Sequence, residues 1–355
     1  MSCKKARSLA VRSRLEKRYG SADSVVFRYY NNSRPFLLTF VFIVILRLPN
    51  MLITGTFLDE ISHDIPHQNW GEKEWDRDFA CMRATGIDTV ILIRCGHKRF
   101  ITYPSKVLMG QEKCFEPSMD LVDLFLRLSD RYGMAFYFGL YDSGNYWHNQ
   151  QFTKELDLSK AVAEEVWKTY GNHPSFKGWY LNCEISRASV GMAHLYRDLG
   201  NFVKDLSGNL PTLISPYIAG IKANPDNATT IAEHERDWNS ILSEIQGAVD
   251  IVAFQDGHCL YDELPDYLEI NLALARKYGM KSWTNCESFD RDMPIRFLPI
   301  KWDKMRLKLE AAGKCGVDKA ITFEFSHFMS PNSMYSSAHG LYDRYMEYRQ
   351  QLMAL

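Results

Sequence analysis

The stretch Leu121-Val-Asp-Leu-Phe-Leu-Arg-Leu-Ser-Asp-Arg-Tyr-Gly-Met-Ala-Phe-Tyr-Phe-Gly-Leu-Tyr141 contains one complete helix-to-strand unit. Leu121, Leu124, Phe125 and Leu128 recur at helical spacing, which predicts a helix from about Met119 to Tyr132 with one buried face. Gly133 supplies the stop, because a glycine takes up the left-handed conformation that ends a helix. The aromatic run Ala135–Tyr141 that follows predicts a strand.

The same unit recurs on both sides. Upstream, Ile53–Leu58 precedes a helix over Glu72–Thr85 that Gly86 stops, and Thr89–Arg94 precedes the helix just described. Downstream come five more strands, Gly178–Glu184, Thr212–Ser215, Ile251–Gln255, Lys281–Asn285 and Ala320–Glu324. Helical patterns near Ser159–Tyr170, Val190–Leu206, Thr230–Ile245, Leu264–Tyr278, Lys301–Cys315 and His339–Met353 fall between and after them. Alternation of this kind means a parallel sheet, and eight units in succession are what a closed (β/α)8 TIM barrel requires. An open doubly wound sheet is the rival α/β arrangement. It would normally carry a glycine-rich phosphate turn, and neither GxGxxG nor GxxxxGK[ST] occurs.

The expected organisation is therefore one catalytic domain over residues 51–355 with an N-terminal extension over residues 1–50. A chain of 355 residues with 46% apolar and 24% charged residues has the make-up of a globular protein. A formal net charge of -1 without charge blocks gives no reason to expect a nucleic-acid partner. The eight cysteines never form CxxC and are too dispersed for a disulfide scaffold, which favours reduced thiols. In the extension, nine Lys or Arg stand against Glu16 and Asp23 over residues 1–34, and an apolar run over residues 36–46 follows. Eleven residues are too few for a bilayer span of about 20. Three readings stay open: a signal or membrane anchor through residues 36–46, an apolar strand packed on the domain, and a non-native leader. The protein is cytoplasmic if these residues are no signal, and exported or anchored otherwise.

Barrels of this kind carry their chemistry at the carboxyl ends of the strands, and here those ends are polar. Two of them match: Tyr180-Leu-Asn-Cys-Glu184 and Trp283-Thr-Asn-Cys-Glu287 both read aromatic-x-Asn-Cys-Glu. Side chains alternate along a strand, so the aromatic, the Asn and the Glu share one face. Strands four and seven face each other across an eight-stranded barrel. Glu184 and Glu287 are thus the expected catalytic pair, able to flank a sugar ring over the mouth, and a retaining glycosidase needs two carboxyls about 5–5.5 Å apart. The expected substrate contacts are Arg94, Tyr141, Asp142, Trp147, Asn182, Tyr217, Gln255, Asp256, Trp283, Asn285 and Glu324. Trp283 and Tyr180 can equally be core layers of the barrel. Glu324 is the substitute nucleophile should Glu287 fail. Trp70, Tyr103 and the loop Tyr141–His148 offer flat faces for sugar stacking or ordinary packing.

Glutamates ending strands four and seven, the first with an Asn close before it, resemble the large clan of retaining (β/α)8 glycoside hydrolases. Within it, Gly178–Glu184, Phe254-Gln-Asp-Gly257 and Ile53-Thr-Gly-Thr-Phe57 resemble a glycoside-hydrolase-like barrel family named as a domain of unknown function. That resemblance covers about residues 52–350. It implies a glycosidase with a carbohydrate substrate and no cofactor, Glu184 as acid/base and Glu287 as nucleophile. In the clan the Asn directly precedes the acid/base, whereas Cys183 intervenes here.

Two other functions stay in view. One is a silent carbohydrate-binding barrel, since fold does not imply chemistry. The other is a metal-dependent hydrolase or isomerase using His63, His67, His97, His258 and His327 with Asp256 and Glu324. No HxH or HExxH spacing supports the second.

Overall fold

The computed structural model describes residues 51–62, 65–188, 191–222, 225–291 and 297–354, all within the unit Arg47–Leu355. Its centre is a closed barrel of eight parallel strands: β1 (Ile53–Leu58), β2 (Thr89–Leu92), β3 (Ala135–Gly139), β4 (Phe176–Tyr180), β5 (Thr212–Ile214), β6 (Ile251–Gln255), β7 (Lys281–Asn285) and β8 (Lys319–Thr322). Each strand pairs with its sequence neighbour, and β1 closes the ring on β8 through Ile53–Ala320 and Thr56–Thr322. One helix follows each strand: α1 (Glu72–Thr85), α2 (Leu121–Tyr132), α3 (Phe152–Tyr170), α4 (Met192–Ser207), α5 (Ile231–Glu244), α6 (Leu264–Lys277), α7 (Trp302–Cys315) and α8 (Ser336–Met353). The eight-unit count is therefore the architecture observed, with short extra helices at Lys106–Gln111 and Phe325–Phe328.

The helix ends follow local chemistry. Gly86 and Gly133 cap α1 and α2 at φ of 99° and 64°, values that a side chain would strain. The Asp120 carboxylate accepts from the Asp123 N–H to start α2, and Thr230 with Glu233 forms a capping box on α5. α3 starts at Phe152, earlier than the apolar pattern predicts. Its first turn is polar, and Glu155 there turns inward to accept from the Ser143 hydroxyl at 2.6 Å.

Two apolar layers result. Phe57, Ile91, Ile93, Tyr137, Tyr180, Leu213, Ile251, Ala253, Trp283 and Ile321 fill the barrel itself. A larger cluster, including Trp75, Phe79, Phe125, Trp179, Trp238 and Tyr345, cements helices to strands. Gly178 makes room for the first layer, because a Cβ there would stand 2.3 Å from the Tyr137 ring.

Several strands stop short of their expected ends. β2 ends at Leu92, β3 at Gly139 and β8 at Thr322, and β4 covers Phe176–Tyr180 where Gly178–Glu184 was expected. Apolar alternation continues past the point where the hydrogen-bond ladder runs out. β4 pairs with β5 only at Trp179–Thr212 and Tyr180–Leu213, so residues 182–184 leave the sheet. The basic segment and the apolar run over residues 36–46 lie outside the described residues. Among the described residues no helix is long and apolar enough to cross a membrane.

Candidate active site

At the carboxyl ends of the strands lies a pocket of about 250 Å³ lined by Arg94, Glu184, Tyr217, Gln255, His258, Asn285, Glu287 and Arg291. Ser62, Ile93, Phe289, Phe297 and Phe323 complete it, so apolar side chains line it together with both glutamates. The alternation on β7 survives intact: Trp283 points into the barrel, and Asn285 and Glu287 continue the same face into the pocket. On β4 only the two ends of the pentapeptide behave so. Tyr180 fills the barrel and its hydroxyl donates to Glu184 Oε1 at 2.9 Å, while Asn182 is buried beside the pocket without lining it.

The two carboxyls sit in unlike surroundings. Glu287 is 2% exposed and is gripped by Arg291, with Nε to Oε2 at 3.0 Å and Nη2 to Oε1 at 2.9 Å. Burial works against its charge, but Arg291, and after it Lys308 and His258, hold the carboxyl below the usual glutamate value. Glu184 is shifted the other way. Burial pushes its carboxyl up and the charge of Glu287 adds to that, against the opposing pull of Arg94 and hydrogen bonds from Gln255 and Tyr180. Divergence of this kind separates an ionised carboxylate from one that keeps its proton.

A second set of groups holds Glu287 from beneath. Lys308, on α7 and 4% exposed, donates to the Glu287 carbonyl at 2.7 Å and pairs with Asp256 Oδ1 at 2.7 Å. The same Asp256 oxygen accepts from the Glu287 N–H at 3.0 Å, so both main-chain groups of Glu287 are fixed by one ion pair. Gly257 lies directly under the carboxylate. A Cβ there would fall 1.6 Å from Glu287 Oε2, which only displacement of the glutamate could relieve.

Arg94 is held in a comparable way. Asp142 accepts from its Nη1 at 2.9 Å and from Gly144 N–H at 2.8 Å, faces His97 Nδ1 at 3.3 Å, and stays well below the usual carboxylate range. Burial pushes His258 down to about 4, leaving a neutral imidazole at the pocket wall against Tyr217. The Asn285 carboxamide oxygen and Arg94 Nε are buried at this wall without a protein partner.

Of the residues singled out in the sequence, Arg94, Glu184, Tyr217, Gln255, Asn285 and Glu287 line the pocket. The others stand elsewhere. Tyr141 is core, its hydroxyl donating to the Lys98 carbonyl; Trp147 donates to Asp142 at 3.2 Å; Trp283 packs on Tyr137 inside the barrel. Asp142 and Asp256 act through Arg94 and Glu287. Glu324 is fully buried, capping the Phe325–Phe328 helix and pairing with His327 at 2.6 Å, so it is no stand-in for Glu287. Tyr103 is also buried, bonded to Glu165 at 2.9 Å.

The histidines do not converge. His97 faces Asp142, His67 faces Glu60, His327 pairs with Glu324 and His258 alone lines the pocket, while His63 lies outside the described residues. Among the described residues no three metal-ligating side chains come together.

Sequence reading missed Arg291, Lys308 and the three phenylalanines. Arg291 stands four residues after Glu287, a spacing with no meaning in a loop, and Lys308 hides in the apolar face of a helix pattern.

The chain is 56% identical to a crystal structure from Bacteroides thetaiotaomicron VPI-5482 that bears the name "putative alpha-L-fucosidase". That likeness covers 86% of this chain and 98% of the other with a TM-score of 0.83. An exo-beta-1,4-mannosidase from Opitutaceae bacterium strain TAV5 shares the fold at 13% identity and a TM-score of 0.52, over 85% of this chain and 60% of its own. A beta-glucuronidase from an uncultured Clostridium sp. does so at 13% and 0.50, over 84% and 50%. No curated protein matches the sequence. The model of the domain of unknown function DUF4434 matches residues 53–335, and the chain belongs to that family, a glycoside-hydrolase-like (β/α)8 barrel.

Proposed function

We propose that this protein is a retaining glycoside hydrolase that removes a single terminal sugar by double displacement. The observation that carries the reading is the pairing of an ionised Glu287 with a Glu184 whose carboxyl is pushed up, both on one compact pocket. A Glu287 oxygen attacks the anomeric carbon as the bond to the leaving oxygen breaks, and Glu184 gives that oxygen its proton. Glu184, now a carboxylate, takes a proton from water. The water oxygen displaces Glu287 from the anomeric carbon and frees the sugar. Arg291 leaves lone pairs on both Glu287 oxygens for this, since a carboxylate has about four acceptor positions.

For the sugar, the closely similar protein's fucosidase name and the apolar lining residues Ile93, Phe289, Phe297 and Phe323 favour a 6-deoxyhexose, whose methyl carbon suits apolar neighbours. The same pocket offers Asn285, Gln255, Arg94 and His258 to its hydroxyls. The test is hydrolysis of p-nitrophenyl α-L-fucopyranoside, followed by a panel of other aryl glycosides. Glu287→Ala should lower turnover of the accepted glycoside at least 10³-fold, with azide restoring it as a glycosyl azide. Undiminished activity of that variant overturns the assignment of the nucleophile. Hydrolysis of another glycoside but not the fucoside overturns only the sugar.

A further inference from the structure

Beside the catalytic pocket, the loops after β1 and β2 enclose a second one of about 680 Å³. Its wall carries Trp70, Phe100 and Phe115, and its polar groups include Glu60, His67 and Glu116. The two pockets share a partition. Ile61 faces the second and Ser62 the first, and the loop after β2 sends Arg94 to one and Phe100–Thr102 to the other.

Phe100 is 63% exposed and Phe115 48%, and they are the two aromatics among the strongly exposed large apolar residues of the described chain. Their rings lie 5.4 Å apart on a rigid base. Phe100 tops a two-strand hairpin, Gly96–His97 against Phe100–Ile101, that also pairs with Tyr141–Asp142, and Arg99 stacks over Phe115 at 4.1 Å. Two phenylalanine rings left exposed at one place, one on the hairpin and the other tied to it through the Phe115 N–H and the Arg99 carbonyl, mark a contact surface. Glu60 stands at the same pocket, its Oε1 buried without a partner and its Oε2 3.6 Å from His67.

We infer that this second pocket binds the sugar on the leaving-group side of the scissile bond, so that the substrates of the protein include oligosaccharides. A pyranose has an apolar C–H face and a rim of hydroxyls. Flat rings beside a carboxyl and an imidazole match both, and the shared partition places such a sugar next to the one cleaved. The inference rests on the glycosidase reading for its direction, while the binding itself does not.

The test is a glycan array probed with the Glu184→Gln protein, which keeps the pocket but lacks the proton donor, with and without Phe100→Ala and Phe115→Ala. Both substitutions are at exposed side chains, and thermal melting checks that the fold is kept. The expected result is retention of a set of oligosaccharides that falls tenfold or more when the two rings are removed. Retention that is unaffected, or no retained oligosaccharide at all, overturns the inference. Loss of retention on ring removal, combined with no hydrolysis of either the retained oligosaccharides or any aryl glycoside by the unaltered protein, leaves the sugar site standing and sinks the catalytic reading. Hydrolysis without ring-dependent retention does the reverse.

Discussion

Glu184 and Glu287 are the same residue type in matching pentapeptides, and their neighbours shift them in opposite directions. A guanidinium with two bonds lowers the Glu287 carboxyl, whereas burial and a nearby like charge raise that of Glu184. On the proposed mechanism, turnover needs Glu287 charged and Glu184 neutral. Activity is therefore lost on the acid side as Glu287 takes up its proton, below the ordinary glutamate value. It is lost on the alkaline side as Glu184 releases its proton, above that value. The kcat/KM profile of the accepted aryl glycoside should be a bell whose two limbs bracket 4.5, the unshifted value of both groups. Glu184→Gln should remove the alkaline limb while lowering kcat about 10²- to 10⁴-fold, as loss of a general acid does. An alkaline limb that persists in this variant belongs to another group and refutes the assignment.

Among the elements, α7 reaches furthest into the chemistry. A helix of the outer ring normally contributes packing, and Met305, Leu309 and Ala312 do that here. Lys308 on the same buried face instead carries an ammonium to the end of β7, where it holds Asp256 and the Glu287 carbonyl and adds positive charge that lowers the Glu287 carboxyl. A single Lys308→Met change strands a buried Asp256 charge, which costs on the order of 3–5 kcal/mol. Replacing both partners, Lys308→Met with Asp256→Asn, removes that penalty and should restore much of the melting temperature. The single variant lacks the charge that lowers the Glu287 carboxyl and keeps the like charge of Asp256, so its acid limb should move to higher pH. An unmoved acid limb in the single variant would make Lys308 purely structural.

At the scale of the whole molecule, the fold was largely legible because a βα unit is a local pattern: a helical stripe, a glycine stop and a short aromatic or β-branched run. The site was legible only where that regularity extends into it. Asn285 and Glu287 continue the β7 alternation and so could be placed, whereas Asn182 follows β4 after its ladder has ended and turns away. Trp283 and Tyr141 have the residue types of a sugar site, but Trp283 fills the barrel and Tyr141 is buried in the cluster that joins helices to strands. Arg291 and Lys308 come to Glu287 through tertiary placement, which no spacing encodes. Closure is likewise a long-range event. β1 pairs with β8, and the Ile53 N–H donates to the Tyr345 hydroxyl on α8 at 2.8 Å, joining the first strand to the last helix. The complete ring of strand pairs lies within residues 53–322, and α8 covers the seam. A protein cut to residues 51–355 should therefore unfold cooperatively near the full-length melting temperature and keep its kcat/KM on the aryl glycoside within about twofold, given that barrels of this kind are self-contained cores. Tyr345→Phe in that shorter chain should cost about 1 kcal/mol, the usual worth of one buried hydrogen bond. Circular dichroism melting and the glycoside assay decide the matter, and a shortened chain without a cooperative transition would show that residues 1–50 belong to the barrel's folding unit.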